Sequence, residues 1–191
     1  YAAMSANTLL NITLLLPVIL VPLILLCRHH PNVRETASIG MGVLLFLCNI
    51  VLLGHFQSSI EISHSWFSMF PGLDIAFKVE PLGMVFALVA SALWPLTTLY
   101  AVGYMRAHNE HNQTQFYCFF AIAIFSVMGI AFAANLITLF VFYELLTLST
   151  FPLVAHAGTK KAKRGARVYL GVLLLTSVLF LLLAIISTWH F

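Results

Sequence analysis

Long runs of mostly apolar residues constrain this chain more than any other feature of its sequence. The hydrocarbon core of a bilayer is about 30 Å thick, which an α-helix of about 20 apolar residues can cross. Because 61% of the 191 residues are hydrophobic and only 8% are charged, a soluble domain is excluded. The sequence predicts an all-α polytopic membrane protein of one transmembrane domain, with about six helices. The predicted spans are residues 7–27, 36–56, 82–105, 115–134, 137–156 and 168–188.

The longest stretch between these spans, residues 57–78, contains a group of aromatic residues among serines. Such a composition is typical of a segment at the water–lipid interface. From residue 73 to residue 80, apolar and polar or small residues alternate with a period of two, which is typical of a β-strand. We therefore expect a short extracytoplasmic β-hairpin or an interfacial segment between the second and third helices.

Basic residues predict how the helices are oriented. Loops after the first, third and fifth spans would contain nearly all of them, whereas the opposite side would contain only Lys78. Because cytoplasmic loops are enriched in Lys and Arg, the basic side should be cytoplasmic and both ends of this chain extracytoplasmic. The last of these loops is predicted to be a cytoplasmic basic loop, for which fixing the topology is favoured over binding a soluble partner or anionic lipid. Its basic residues are Lys160, Lys161, Lys163, Arg164 and Arg167.

Two groups of polar residues superficially resemble metal ligands. His29 and His30 are adjacent, and adjacent side chains point apart on a helix. His108, Glu110 and His111 have no further ligand nearby in the sequence. The three cysteines form no CxxC pattern, and no nucleotide-binding or nucleic-acid-binding motif is present. We therefore predict solvated loops at both groups, no metal, no cofactor and no nucleic-acid partner.

Glu144 is the first candidate for a functional site. It lies near the middle of the fifth apolar run, where an acidic residue costs roughly 2.5–3.5 kcal/mol on insertion scales. Ionisable residues at that depth typically take part in proton or ion movement, so we expect Glu144 to exchange protons. The alternative is that Glu144 hydrogen-bonds to a neighbouring helix and only holds the bundle together.

Other polar residues of the same run could support Glu144. Thr147 lies one turn away on the same helical face, whereas Ser149 and His156 lie on a second face. Thr147 and Ser149 are expected to bond their own backbone and to have supporting roles at most. His156 is predicted roughly 18 Å further along a straight helix, either as a proton-relay group or as an ordinary interfacial histidine. Pro152 in this run and Pro95 in the third are expected to kink their helices.

Residues 142–156, which read FYELLTLSTFPLVAH, resemble the fifth-helix signature of the antiporter-like membrane subunits. This superfamily includes the D subunit of Mrp sodium/proton antiporters, which the TLSTFP wording favours, and the proton-pumping membrane subunits of respiratory complex I. Residues 79–82, 100–105 and 163–173 are similar to the same family, although Glu80 stands where the family more often has Asp.

The resemblance implies that Glu144 exchanges protons with lysines on later helices. No Lys or Arg lies within the spans predicted here, so either this chain is the N-terminal part of a longer subunit, which is the favoured interpretation, or another chain supplies the lysines. The resemblance further implies other membrane subunits as partners, protons and also sodium as candidate ions, and a bacterial inner membrane. The protein would not be catalytic alone, but would serve a gradient-driven Mrp-type complex or an NADH:quinone oxidoreductase-like or hydrogenase-type complex. A non-conducting scaffold subunit and the membrane subunit of an inorganic-carbon uptake system are the alternatives.

Overall fold

The computed structural model describes residues 2–57, 61–70, 73–108, 110, 112–156 and 158–189. Within these ranges, six helices are long and apolar enough to cross a membrane, which confirms the predicted class of polytopic membrane protein. The last of them is continuous over residues 162–188 and includes a π-helical turn. The elements in chain order are α1 Ala2–Leu26, α2 Pro31–Gln57, β1 Ser63–Phe70, β2 Leu73–Lys78, α3 Pro81–His108, α4 Gln113–Ala131, α5 Leu136–Val154, α6 Lys160–Thr176, the π-helical turn Ser177–Leu182 and α7 Leu183–Trp189.

Helix α1 lies inside the bundle, packed against both α2 and α4. Its buried face repeats at helical spacing and includes Leu10, Leu14 and Ile24, which have no exposed surface. Helix α2 packs against α3, α4 packs against α5, and α5 packs against α6. Helix α6 and its continuation lie at the edge of the bundle, because only 11% of that span is buried.

Helices α4 and α5 approach each other closely at Gly129. A Cβ atom at this position would overlap the ring of Phe142, which is itself buried between the two helices. The ring of Phe142 also packs edge-on against Phe125 of α4, with the two ring centroids 5.2 Å apart. The absence of a side chain at Gly129 is therefore what allows Phe142 to fill the space between α4 and α5.

The segment between α2 and α3 forms the β-hairpin that the alternating pattern predicted. Strands β1 and β2 pair antiparallel, with irregular register between Ser65 and Phe67 and again between Ser68 and Phe70. Pro71 and Gly72, which lie between the two strands in the sequence, are outside the described residues. Hydrogen bonding between the strands satisfies their backbone groups, as membrane-proximal backbone requires.

The hairpin is attached to the turn between α4 and α5. Phe77 of β2 forms an antiparallel bridge with Ala133, and the backbone N–H of Lys78 donates to the carbonyl of Phe132 at 2.8 Å. Asn135 caps α5 by accepting a hydrogen bond from the Thr138 N–H at 2.8 Å, and its amide nitrogen donates to the Asp74 carbonyl at 2.7 Å. The turn at Asn135 therefore both begins α5 and holds the hairpin.

An aromatic stack continues this attachment into the bundle. The Trp66 ring lies 4.8 Å from Phe77, and Phe77 lies 5.5 Å from Phe142 of α5. The Trp66 indole N–H also donates to Asn11 Oδ1 of α1 at 2.9 Å. The hairpin thus connects α1 with α5 at one end of the bundle.

Helix α2 begins at Pro31, five residues earlier than the sequence pattern predicted. Proline suits a first helical position because its missing N–H would be unpaired there in any case. The extension places Arg34 and Glu35 inside a helix, with each side chain only 5% exposed. The prediction that these two residues belong to a solvated loop is therefore wrong.

Arg34, Glu35 and Arg106 form a charged cluster where α2, α3 and α4 meet. The Glu35 carboxylate contacts Arg34 Nη2 at 3.7 Å, and it accepts hydrogen bonds from both Nε and Nη2 of Arg106. Arg34 donates from Nη1 to Thr114 Oγ1 at 2.8 Å, and its guanidinium carbon lies 5.1 Å from the centre of the Tyr117 ring. The cluster ties three helices together at the end of the bundle opposite the hairpin.

Helix α6 begins at Lys160, whereas the pattern predicted a loop as far as Arg167. Thr159 caps it, because its hydroxyl accepts a hydrogen bond from the Ala162 N–H at 3.1 Å. Lys, Arg and Ala are all good helix formers, so this block continues the span beyond its apolar part. The predicted basic loop is therefore helical, and the loop assignment is wrong.

Substituting Gly129→Ala should lower thermal stability. The added methyl group would overlap Phe142, and overpacking of this kind costs about 1–3 kcal/mol. The control is Gly103→Ala in α3, where a Cβ would meet nothing within 4 Å. Because alanine is the better helix former by about 1 kcal/mol, this control should be neutral or stabilising. Thermal unfolding in detergent measures both variants, and equal melting temperatures would contradict the close α4–α5 approach.

Arg34→Leu should destabilise the bundle by about 3 kcal/mol, because it breaks a buried ion pair and leaves the carboxylate of Glu35 with fewer partners. Arg28→Leu is the control, since Arg28 is exposed at the same end of the bundle and its side chain hydrogen-bonds to His29 among the described residues. Denaturant titration of the purified full-length protein compares the two. If Arg34→Leu and Arg28→Leu have equal midpoints, the cluster does not hold the helices together.

Candidate functional site

The carboxylate of Glu144 lies in the middle of α5, at the ninth of its nineteen residues. Its Oε1 atom is buried and accepts no hydrogen bond from any described residue. Glu144 also takes no part in the ion pairs among the described residues. Burying a polar atom without a partner is unfavourable, and far more so when the group is charged. Glu144 is therefore a half-buried acid, one oxygen of which has no partner among the described residues.

The nearby hydroxyl groups are occupied by the backbone of α5 itself. Thr147 donates to the Tyr143 carbonyl at 3.0 Å, and Ser149 donates to the Leu146 carbonyl at 2.8 Å. Both side chains are buried, so these bonds satisfy them without a ligand. In this arrangement neither hydroxyl hydrogen-bonds to Glu144 Oε1.

The two predicted kink residues lie inside continuous helices. Pro152 is in α5, which ends two residues later at Val154, and it cannot donate the backbone hydrogen bond that a helix would direct to Leu148. Pro95 is in the middle of α3, where its ring packs so closely on Gly42 that a Cβ there would lie 3.1 Å from Pro95 Cδ. Pro95 therefore also forms part of the contact between α2 and α3.

His156 follows α5 directly, at the end of the bundle where the charged cluster lies. Its ring packs edge-on against Phe116 of α4, with the centroids 5.5 Å apart, and Phe116 in turn contacts Tyr117 of the cluster. The Nε2 atom of His156 is buried without a hydrogen-bond partner among the described residues. Helix α5 thus has two titratable side chains with unpaired buried atoms, one at its centre and one just past its end.

A partly open cavity of about 260 Å³ lies beside α5 where it faces the π-helical turn. Tyr143, the neighbour of Glu144, lines one side, and Ser177 and Phe180 line the other. The volume exceeds that of a single water molecule several-fold, since one water occupies about 30 Å³ in the liquid. π-Helical turns occur frequently at functional sites, and this one packs against α5.

No group of three or more His, Cys, Asp or Glu side chains that could hold a metal occurs in the part of the chain that the structure describes. His29 Nε2 accepts a hydrogen bond from Arg28 Nε at 2.9 Å. His108 stacks on Tyr104, with the ring centroids 4.3 Å apart, and its Nδ1 lies 2.9 Å from the Tyr104 carbonyl. His111 lies outside the described residues.

The charged cluster of Arg34, Glu35 and Arg106 was missed by reasoning from the sequence. Arg106 and Glu35 are 71 residues apart in the sequence, and no local sequence pattern predicts a contact over such a separation. A usable signal was the buried face of α2, which includes Glu35, Ser38 and Gly42 at helical spacing. Extending that face backwards would have placed Glu35 inside the bundle.

Comparison with known families gives one match. The family described as NADH:quinone oxidoreductase/Mrp antiporter, transmembrane region, matches residues 133–191, a stretch that includes all of α5 and Glu144.

Curated relatives agree with that match over more of the chain. The Na(+)/H(+) antiporter subunit A1 of Staphylococcus aureus (strain bovine RF122 / ET3-1) is 24% identical over 159 residues, which are 81% of this chain and 20% of the relative. A protein of Staphylococcus haemolyticus (strain JCSC1435), provisionally named antiporter subunit mnhA2, is 29% identical over 123 residues, or 60% of this chain and 15% of the relative.

This chain spans about a fifth of the length of the first of these relatives. Both relatives are named as A subunits, so they give no support to the D type that the TLSTFP wording favoured. The family match and the relatives do agree with the broader resemblance at residues 142–156. The family match and the relatives support the superfamily of antiporter-like membrane subunits that Mrp antiporters and NADH:quinone oxidoreductases share, and the six apolar helices support an integral membrane protein.

Proposed function

We propose that this chain is the N-terminal part of a subunit that translocates protons, or exchanges a monovalent cation such as sodium for protons, and that Glu144 carries the proton. The observation that supports this most is the buried Oε1 atom of Glu144, which has no hydrogen-bond partner among the described residues. Glu144 also lies within the residues matched by the family. A structural acid would be expected to have a partner inside the bundle, as Glu35 has.

The chemistry of an acid in this position favours exchange over a fixed charge. In a low-dielectric interior, a carboxyl group is stable either as the neutral acid or as an anion next to a cation. The resemblance implies that the cation is a lysine on a later helix of the full-length subunit. Moving a proton between Glu144 and that lysine would change the charges of both groups together.

His156 would connect Glu144 with the basic end of the bundle. Its buried and unpartnered Nε2 lies beside Phe116 at that end. The separation from Glu144, roughly 18 Å along the helix, requires water molecules between the two groups. Thr147 and Ser149 already bond the backbone of α5, so they would support this path by shaping it rather than by carrying protons.

The protein would work in a multisubunit complex of a bacterial cytoplasmic membrane. The basic end, which includes Lys160, Lys163, Arg164 and Arg167, would face the cytoplasm, and the hairpin would cover the opposite side. Two A-type antiporter relatives favour an Mrp-type assembly driven by an ion gradient over a redox-driven complex, in which electron transfer would belong to partner subunits. We propose no cofactor for this chain itself.

Glu144→Gln keeps the shape of the side chain but removes its titratable proton. In the full-length complex it should reduce proton flux into proteoliposomes roughly 100-fold, the scale on which a positioned proton-transfer group contributes. Glu61→Gln is the control, because Glu61 is an exposed acid paired with Lys78 at 3.3 Å outside the spans. If Glu144→Gln assembles normally and its proton flux is unchanged, the scaffold role is the better explanation. If the unsubstituted complex transports bicarbonate instead of cations, inorganic-carbon uptake is favoured.

His156→Phe separates proton relay from packing. Phenylalanine retains an aromatic ring against Phe116 but has no nitrogen, so assembly should be normal while proton flux falls several-fold. Added imidazole should restore part of the flux if the lost nitrogen carried protons. Flux equal to that of the unsubstituted protein would show that His156 only packs against α4.

A further inference from the structure

We propose that the first two turns of α6 and the apolar residues that follow them form a binding site for an anionic phospholipid. The site consists of a cationic stripe, defined here as Lys160, Lys163, Arg164 and Arg167, and of the exposed surface directly below it. This goes beyond the proposed proton transfer at Glu144, which does not use these residues.

The four cations share one face because the block is helical. Spacings of three, four and seven residues bring side chains onto the same side of an α-helix, within about 100° of arc. All four are exposed. Fixing the membrane topology requires only a number of basic residues near the span and does not require them to be aligned. Fixing the topology therefore does not explain why these four basic residues share one face of α6.

Nothing in the described part of the chain neutralises this stripe. The sequence has no acidic residue after Glu144, and none of the ion pairs among the described residues includes a side chain of α6. Cations in the first turns of a helix are also disfavoured by the helix dipole. An anion supplied from outside the chain would relieve both effects.

The position of the stripe identifies which anion fits. Directly below Arg167, the same face continues through Gly171, Leu175 and Val178, and all three are exposed. A Cβ at Gly171 would meet nothing within 4 Å, so the surface there is shallow and open. From Arg167 to Val178 the helix rises roughly 16 Å, which is about half of the hydrocarbon core. A phospholipid of one leaflet therefore fits this surface, with its phosphate at the stripe and an acyl chain along Gly171, Leu175 and Val178.

The buried side of α6 leaves this face accessible. Ala166, which is fully buried, marks the side that packs against α5, and the stripe lies roughly 100° around the helix from it. A lipid could therefore bind without separating α5 from α6. The stripe belongs to the edge of the bundle, where only 11% of the span is buried.

Site-specific photocrosslinking of the full-length protein in nanodiscs tests the site. A benzophenone amino acid at Leu175, on the stripe face, should crosslink phosphatidylglycerol in excess over phosphatidylcholine relative to their molar ratio. The same probe at Tyr169, on the opposite side of α6 and also exposed, should crosslink both lipids in proportion. Each cation near a membrane surface contributes roughly a fivefold preference for anionic lipid, so enrichment at Leu175 should be large and should fall at high salt.

A variant in which two cations are moved to another face of α6 distinguishes the effect of their alignment from the effect of the number of positive charges. Exchanging the residues at 162 and 163 and those at 164 and 165 (Ala162→Lys with Lys163→Ala, and Arg164→Gly with Gly165→Arg) moves two cations off the face while keeping composition and net charge. Topology should be retained, whereas enrichment at Leu175 should fall at least roughly fivefold. Enrichment that persists in this variant overturns the proposal. So does crosslinking of Leu175 to a polypeptide instead of lipid, which would identify the face as a protein interface.

Discussion

The bundle depends on one constraint, which is that polar groups inside a membrane must find their partners within the protein. Helical hydrogen bonds satisfy the backbone, and buried hydroxyls such as those of Thr13, Thr98, Ser126 and Thr147 donate to carbonyls of their own helices. The hairpin, which is not helical, is satisfied by its own pairing and by the α4–α5 turn. A few buried polar atoms of the described residues have no partner, and Glu144 Oε1 is the one carboxylate oxygen among them.

Two glutamates in the same bundle differ in their partners, and the proposal for Glu144 rests on this difference. Glu35 is contacted by two arginines, one of which also bonds Thr114 and packs over Tyr117, so its charge is balanced within the described chain. Glu144 has a buried oxygen and no such partner. A balanced acid holds helices together and has little to gain from exchanging its proton. An unbalanced one changes its interactions each time it is protonated, and this is the property that ion coupling requires.

Most of the fold could be predicted from the sequence, because apolar runs of membrane-spanning length and a period-two segment are local signals. The errors lie where charge was taken to mark the end of a helix. Arg34 and Lys160 both lie inside helices, since helix propensity and capping by Thr159 do not depend on the bilayer boundary. For the site, the depth of Glu144 in an apolar run is a local signal, and its proposed role stays a prediction. The cluster around Glu35 was not predictable, because it depends on Arg106, 71 residues away, and only tertiary packing brings the two together.

The attachment of α5 at both ends limits what protonation of Glu144 can move. Its start is fixed by Asn135, Thr138 and the hairpin, and its end is packed through His156 against Phe116. Between these points Gly129 lets the Phe142 ring fill the contact with α4, and a contact so closely packed transmits strain rather than absorbing it. The side toward α6 is different, because a cavity and a π-helical turn lie there. A change of charge at Glu144 should therefore be accommodated on the α6 side, where the packing leaves room for water and for side-chain movement.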